Sequence, residues 1–305
     1  MNREKPYTET EPRSTDAAGS PPPTVLVPLY GSARAIDVLP VAQGLAKLIQ
    51  ATIHIVYVSS WPLPSGSSRD TLGLAKEELS GAVLDRLTGP PESVIIAEAK
   101  KRESGFIVMC AHSEADEHEG GFGVIAREIL LHAPCPVVLV PAGRGQMPWS
   151  LRRLLVPHDG TPASAGNIRP ASDLCLRARG EMTILHVASA AASPAEEPGT
   201  FNTPRYVDQP QHEWPAWEAE FLDRVRAIGR PRCGVKLRTI LCIEQIGAAI
   251  VRFASGDKSD LIALAWRMRL DPTRALTLRR IVQQASCPVA IYPINVENPN
   301  GPAAR

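Results

Sequence analysis

The strongest constraint in this sequence is that it repeats itself. Residues 24–34 read TVLVPLYGSAR and residues 153–164 read RLLVPHDGTPAS, each an apolar run, then Val-Pro, then a Gly-Ser or Gly-Thr turn. The halves also close alike, with HAPCPVVLVP at 132–141 and QASCPVAIYP at 284–293. Two matching starts and two matching ends imply a duplicated domain of roughly 130–150 residues. A chain of 305 residues holds two such units, each large enough for its own core. The expected organisation is a polar, Pro-rich disordered segment at 1–23, a first domain at 24–141, a linker at 142–151, a second domain at 152–294 and a flexible tail at 295–305. The second copy is the longer, chiefly because of an Ala-, Pro- and Glu-rich stretch at 188–212.

Within each copy, short apolar runs alternate with helical periodicity. In the first, Val25–Tyr30, Thr52–Val58, 82–89, Gly105–Ala111 and Val137–Val140 read as strands. Helices are expected over 33–50, about 70–80, from the GPPES opener at 89–93 to about Glu103, and over 123–133. Gly44 and Pro40 weaken the first helix slightly. In the second copy, Leu154–Pro157, Met182–Val187, Val235–Cys242, Asp260–Ala265 and Pro288–Tyr292 read as strands, with helices at 162–179, 213–228, 244–255 and 273–284. Strands that are apolar throughout, alternating with helices, predict an α/β fold: two tandem, doubly wound parallel sheets of Rossmann-like type covered on both faces. In such sheets ligands lie beyond the carboxyl ends of the strands, which directs attention to the loops after the first and fourth strands of each copy.

Charge and cysteine usage exclude several classes. The formal charge is +1, from 33 Lys and Arg against 32 Asp and Glu, so nothing draws the whole chain toward nucleic acid or an anionic membrane. No apolar run approaches the ~18–20 residues that span a bilayer, and the N-terminus has no apolar signal core. The six cysteines contain no CxxC pair, and Cys135 and Cys287 hold the same repeat position before a Pro and an apolar strand. Free core thiols in a reducing compartment are expected, and a soluble, cytoplasmic protein. GxSxG, the Walker loop, a complete GxGxxG and a Ser-His-Asp order in strand–turn–helix context are all missing, so a catalytic role has no positive support.

Several pieces together resemble the universal stress proteins: Val156, Pro157, Asp159, Gly160 and Thr161 at one strand end, GPPE at 89–92, FIVMCAH at 106–112 and HAPCPVVLVP. Their order, repeated twice, covers nearly all of 24–293. The resemblance implies two five-stranded parallel sheets with four helices each. It also implies pairing through the last, edge strand, which a tandem chain can satisfy internally, with a homodimer or an unidentified protein partner also open. Members that bind ATP carry an Asp after the first strand for adenine, and Gly-x2-Gly-x9-Gly-Ser/Thr after the fourth for phosphates. Small residues and a helix N-terminus let backbone amides reach phosphate oxygens.

Neither copy keeps the whole set. In the first, Tyr30 replaces the Asp, Cys110 and Ser113 replace two glycines, Gly123 is kept, and Val124 replaces the hydroxyl residue. In the second, Asp159 is kept, but Ala265 and Met268 stand at the glycine positions and the loop is about three residues shorter, with Ala275 near the third. The half-sites are expected in different sheets, unable to combine. The candidate nucleotide contacts implied are Pro157, Asp159, Val187 and Arg267 in the second copy, and Gly121 and Gly123 in the first.

Each candidate has a bland reading beside it. Asp159 can contact adenine or ribose, or cap the helix at 162, and the missing phosphate side favours the cap. Gly120, Gly121 and Gly123 can form an anion nest or a hinge, and the hinge is favoured. The loop at 112–121, with His112, His118 and four carboxylates, can hold zinc or manganese, but its spacing is no recognised ligand frame and a solvated loop is favoured. Arg267, Arg269, Arg274, Arg279 and Arg280 can replace lost phosphate amides, or form a solvated face, which is favoured; beyond Trp266 no aromatic platform accompanies them for RNA. Trp214 and Trp217 are expected to pack their helix on the sheet rather than cover a pocket. The expectation is a non-catalytic stress-response module with no cofactor and a degenerate nucleotide site in both copies. The alternatives are an ATP, ADP or AMP sensor working through the second copy, and a slow ATP hydrolase.

Overall fold

The computed structural model describes residues 22–29, 37–59, 82–111, 123–143, 147–188, 210–268 and 272–294. Residues 1–21 and 295–305, expected to be disordered or flexible, the helix expected at 70–80, Tyr30, Gly121, the His-rich loop and most of the 188–212 stretch lie outside them. So do the side chains of Trp214, Trp217 and Arg274.

Strands β1 (Thr24–Leu29), β2 (Thr52–Ser59), β3 (Ala82–Thr88), β4 (Ser104–Cys110) and β5 (Val137–Val140) build the first copy. Strands β6 (Arg153–His158), β7 (Glu181–Ala188), β8 (Lys236–Ile243), β9 (Leu261–Trp266) and β10 (Val289–Pro293) build the second. Helices α1 (Leu39–Ile49), α2 (Pro91–Lys101) and α3 (Val124–His132) belong to the first copy. Helices α4 (Ile168–Ala178), α5 (Pro210–Gly229), α6 (Ile246–Gly256) and α7 (Pro272–Gln284) belong to the second. Every side chain of β1 is buried, as a strand paired on both edges and covered on both faces requires.

The ten strands form one sheet in the order β3-β2-β1-β4-β5-β10-β9-β6-β7-β8. All neighbours run parallel except at the seam, where β5 and β10 pair antiparallel with Val137 opposite Ile291, Val138 opposite Ala290 and Leu139 opposite Val289. The two expected five-stranded parallel sheets join edge to edge into one continuous sheet, through the internal pairing of last strands that a tandem chain allows, each short last strand completing the other's hydrogen-bonding edge. Reversal at the seam sends the strands' carboxyl ends to opposite edges, so the half-sites still cannot merge. Both core layers span the two copies: one face joins Val25, Leu45 and Phe106 to Leu154, Ile168 and Tyr292, and the other joins Leu26 and Ile107 to Leu155 and Ile262. Phe106 meets Tyr292 edge-on at 6.4 Å, and the Trp266 indole N–H donates to the Leu130 carbonyl at 3.0 Å.

The Val-Pro step has the same place in both copies. The β1–β4 ladder stops at Leu26 and the β6–β9 ladder stops at Leu155, so Pro28 and Pro157 lie just beyond the last paired residue. A proline has no N–H for a ladder, and past it the two central strands part. The gap is the crevice that a doubly wound sheet offers to ligands.

Two sequence readings need adjustment. The helix predicted over 162–179 begins with a 3₁₀ turn, Ala163–Asn167, in which Asn167 donates to the Ala263 carbonyl at 3.1 Å and so ties the turn to β9. Cys233 is exposed, whereas Cys135, Cys175 and Cys287 are buried, so one thiol leaves the predicted core. The linker is anchored at its far end: Trp149 is buried and donates to the Asp260 carbonyl at 3.0 Å, while the Asp260 carboxylate accepts from the N–H groups of Arg152 and Arg153.

Candidate functional site

The turn after β6 is built by its own side chains. Gly160 has φ +82, a left-handed conformation that glycine takes without a Cβ penalty. It lets the Gly160 N–H donate to His158 Nδ1 at 2.9 Å. Asp159 Oδ1 accepts from the Thr161 N–H at 3.0 Å and from the Thr161 hydroxyl at 2.6 Å. The acidic turn residue therefore orders the entry to the 3₁₀ turn, as an Asx turn does. Asp159 is nevertheless exposed as a residue at the end of the strand. Desolvation of its carboxyl would raise its pKa, but hydrogen bonds from Ser164 and Thr161 outweigh it and hold the acid down to about 2.

Behind this turn lies a buried pair of imidazoles. Since His158 Nδ1 accepts, Nε2 carries the proton and donates to Ser164 Oγ at 3.2 Å, and the Ser164 hydroxyl donates to the Thr161 carbonyl at 2.9 Å. His186, on β7, donates through Nδ1 to the His158 carbonyl at 2.9 Å. Phe221 of α5 packs its ring against both, with centroids 5.6 Å from His158 and 4.8 Å from His186. Burial lowers the pKa of His158 to about 4 and also lowers that of His186, so both are neutral at pH 7.

Above these strand ends opens a cavity of about 310 Å³. Pro157, His158 and Asp159 come from β6 and its turn, Leu185 and Val187 from β7, and Leu264, Ala265, Trp266 and Arg267 from β9 and its end. Ile246 and Ile250 of α6 form one wall, and Thr277, Leu278 and Ile281 of α7 another. Arg267 reaches back across the crevice, donating from Nη2 to Thr161 Oγ1 at 3.3 Å. Next to it, Met268 has φ +54. An L-residue in that conformation costs roughly 1–2 kcal/mol.

Pro157, Asp159, Val187 and Arg267, named from the sequence, thus line one cavity. Gly123 does not join them: it lies in the first copy, at the opposite sheet edge, as the N-cap of α3 with φ −57, so its glycine freedom is unused. His158, Ser164, Ile246, Ile250 and the lining residues Thr277, Leu278 and Ile281 of α7 were not singled out. The HDGTPAS string held a signal for the first two, since a histidine and a serine flanking an Asx turn are placed to bond within it. The α6 and α7 residues carry no local signal, being ordinary core-facing positions until the sheet sets them over a crevice.

A second polar cluster lies in the first copy. His54 Nε2 meets Asp85 Oδ2 at 3.0 Å, and Arg102 donates to Asp85 at 2.8 Å and to Glu98 at 2.9 Å. Its ligand atoms lie close enough to suit a cation, but the Arg102 guanidinium already occupies the centre and neutralises the carboxylates.

Comparison with known proteins agrees with this architecture. The model of the universal stress protein family matches residues 23–141 and again residues 150–293. The crystal structure of a universal stress protein from Archaeoglobus fulgidus DSM 4304 is similar with a TM-score of 0.60 and 15% identity, over 91% of this chain and 98% of that one. A functionally unknown protein from Pseudomonas aeruginosa PAO1 is similar with a TM-score of 0.59 and 16% identity, over 89% of this chain and 92% of that one. The cytoplasmic domain of a prokaryotic cation chloride cotransporter shares the fold with a TM-score of 0.52 and 10% identity, over 92% and 98% of the two chains. At such identities the likeness is one of fold. No curated protein matches the chain. Among the described residues no helix is long and apolar enough to cross a membrane.

Proposed function

The chain belongs to the universal stress protein family, and from that premise we propose that it is a non-catalytic stress-response module whose second copy binds an adenine-containing ligand. One observation carries the reading: a single cavity at the carboxyl ends of β6, β7 and β9 gathers Pro157, Asp159, Val187 and Arg267. In ATP-binding members an Asp after the first strand meets adenine, and here Asp159 is ionised and lines the cavity. Two of its hydrogen bonds fix it in place, so it accepts from a purine amino or ribose hydroxyl group without reorganising. Leu185, Val187 and Ile250 supply apolar surface for a flat ring.

The same groups favour binding without hydrolysis. An acid with a pKa of about 2 is a weak base at neutral pH. Both nitrogens of His158 are engaged, and its imidazole donates to the Ser164 hydroxyl rather than taking its proton. The first copy is the structural partner that completes the sheet.

Isothermal titration of the whole protein with adenosine, AMP and ATP tests this. Binding of at least one tighter than about 1 mM, roughly 4 kcal/mol, and weakened at least about tenfold in Asp159→Asn, a loss of roughly 1.4 kcal/mol, is the expected result. No adenine compound bound, or turnover of ATP by the wild type that is lost in Asp159→Asn, contradicts it.

A further inference from the structure

We infer that this cavity selects an uncharged adenine nucleoside over its phosphate esters. The inference rests on the adenine reading above and adds what the rest of the ligand is. The first observation is charge. Asp159 is ionised, His158 is neutral, and Arg267 is the one cation among the described lining residues, so the lining sums to about zero. Arg267 Nη2 is turned toward Thr161, whose hydroxyl donates to Asp159, so the guanidinium is part of the Asp159 network. With that guanidinium engaged, the described lining offers an incoming phosphate no net positive charge.

The second observation is the walls. Leu185, Val187, Ile246, Ile250, Leu264 and Ile281 are aliphatic, and a phosphate taken out of water among them loses its hydration for few donors in return, chiefly the Thr277 hydroxyl and an Arg267 already tied to the Asp159 network. Volume points the same way: about 310 Å³ is at the lower end of the roughly 300–1,000 Å³ of small-molecule sites, a size for a nucleoside rather than for a triphosphate.

The third observation is shared by both copies. Val124, the first residue of α3, and Leu276, one turn into α7, each lie 11 residues before the Cys of their copy's Cys-Pro finish, where ATP-binding relatives have a phosphate-holding hydroxyl, and each is 63% exposed. An exposed aliphatic side chain offers nothing to a phosphate. Both copies have thus replaced the phosphate hydroxyl, while only the second keeps the adenine acid.

The test is titration calorimetry of the whole protein with adenosine, AMP and magnesium-free ATP at about 50 mM and about 500 mM salt. Adenosine should bind at least tenfold tighter than AMP and a hundredfold tighter than ATP. Added salt should leave adenosine within twofold and the gap to ATP in place, because the described lining carries no net charge to screen. AMP or ATP binding as tightly as adenosine, or ATP binding that weakens with salt as an attractive contact would, overturns the selection while leaving the adenine reading intact. If none of the three binds, the adenine reading itself fails and this inference with it.

Discussion

His158 shows how much one residue does in this fold. Its ring accepts from Gly160, donates to Ser164 and packs on Phe221, all in the neutral form. Burial lowers its pKa from 6.5 to about 4 and lowers those of His54 and His186 as well. A histidine with a lowered folded-state pKa binds its proton more readily once unfolded. Between about pH 6.5 and 4 the unfolded chain therefore takes up more protons, and stability falls as pH drops through that window. The shift at His158 alone corresponds to about 3 kcal/mol. Urea unfolding from pH 7 to 4 should show this loss, and His158→Asn, which keeps an acceptor for Gly160, should reduce it. Asp159 acts lower: its carboxylate, held at about 2, contributes stability above its unfolded value of 3.8 that is lost as pH falls through about 2. Gly44 makes a different point. A Cβ there would lie 2.4 Å from Trp149 Cε3 and 2.8 Å from its carbonyl oxygen. Gly44→Ala should thus destabilise by about 1–3 kcal/mol, although alanine is the better helix former by about 1 kcal/mol. A lower urea midpoint at unchanged slope is the expected signature. From the sequence Gly44 looked like a flaw in a helix; its reason is an indole arriving from the far end of the linker.

Among the elements, the seam of β5 and β10 matters most. Val138 and Ala290 face each other there, both wholly buried. An aspartate at either position would bury an unpaired charge, and Val138→Asp or Ala290→Asp should cost more than about 3 kcal/mol. Because the seam is what joins the two halves, calorimetry of either variant should resolve two transitions where the wild type gives one. The strands themselves were legible. Val137–Val140 matches its predicted bounds, and the other predicted strands that are described lie within a residue or two of theirs. Apolar runs bounded by Gly and Pro are sufficient for that, since continuous burial leaves no other use for them. The antiparallel register across the seam was not legible, because it depends on two distant strands meeting and neither carries a mark of its partner. The same holds for the 3₁₀ turn at Ala163–Asn167, which exists because Asn167 bonds to β9.

At the scale of the whole molecule, duplication has produced one scaffold with unequal ends. The single sheet and both core layers treat the copies as equals. The strand ends do not. One edge holds a cavity around Asp159, and the other begins α3 with an exposed Val124 and an unstrained Gly123. The sequence showed this asymmetry in outline, as a kept Asp on one side and a kept Gly on the other. It could not show that Ile246 and Ile250 close the cavity, because helices contribute walls only after the sheet has placed them. If the account is right, a ligand that fills the cavity stabilises the chain by mass action, and saturating adenosine at about 100 times its dissociation constant should add roughly 2.7 kcal/mol to unfolding. The stoichiometry of adenosine binding in titration calorimetry tests the central claim most directly. One site per chain, weakened at least tenfold by Asp159→Asn, is the predicted result; two equal sites, or one site indifferent to Asp159, would contradict it.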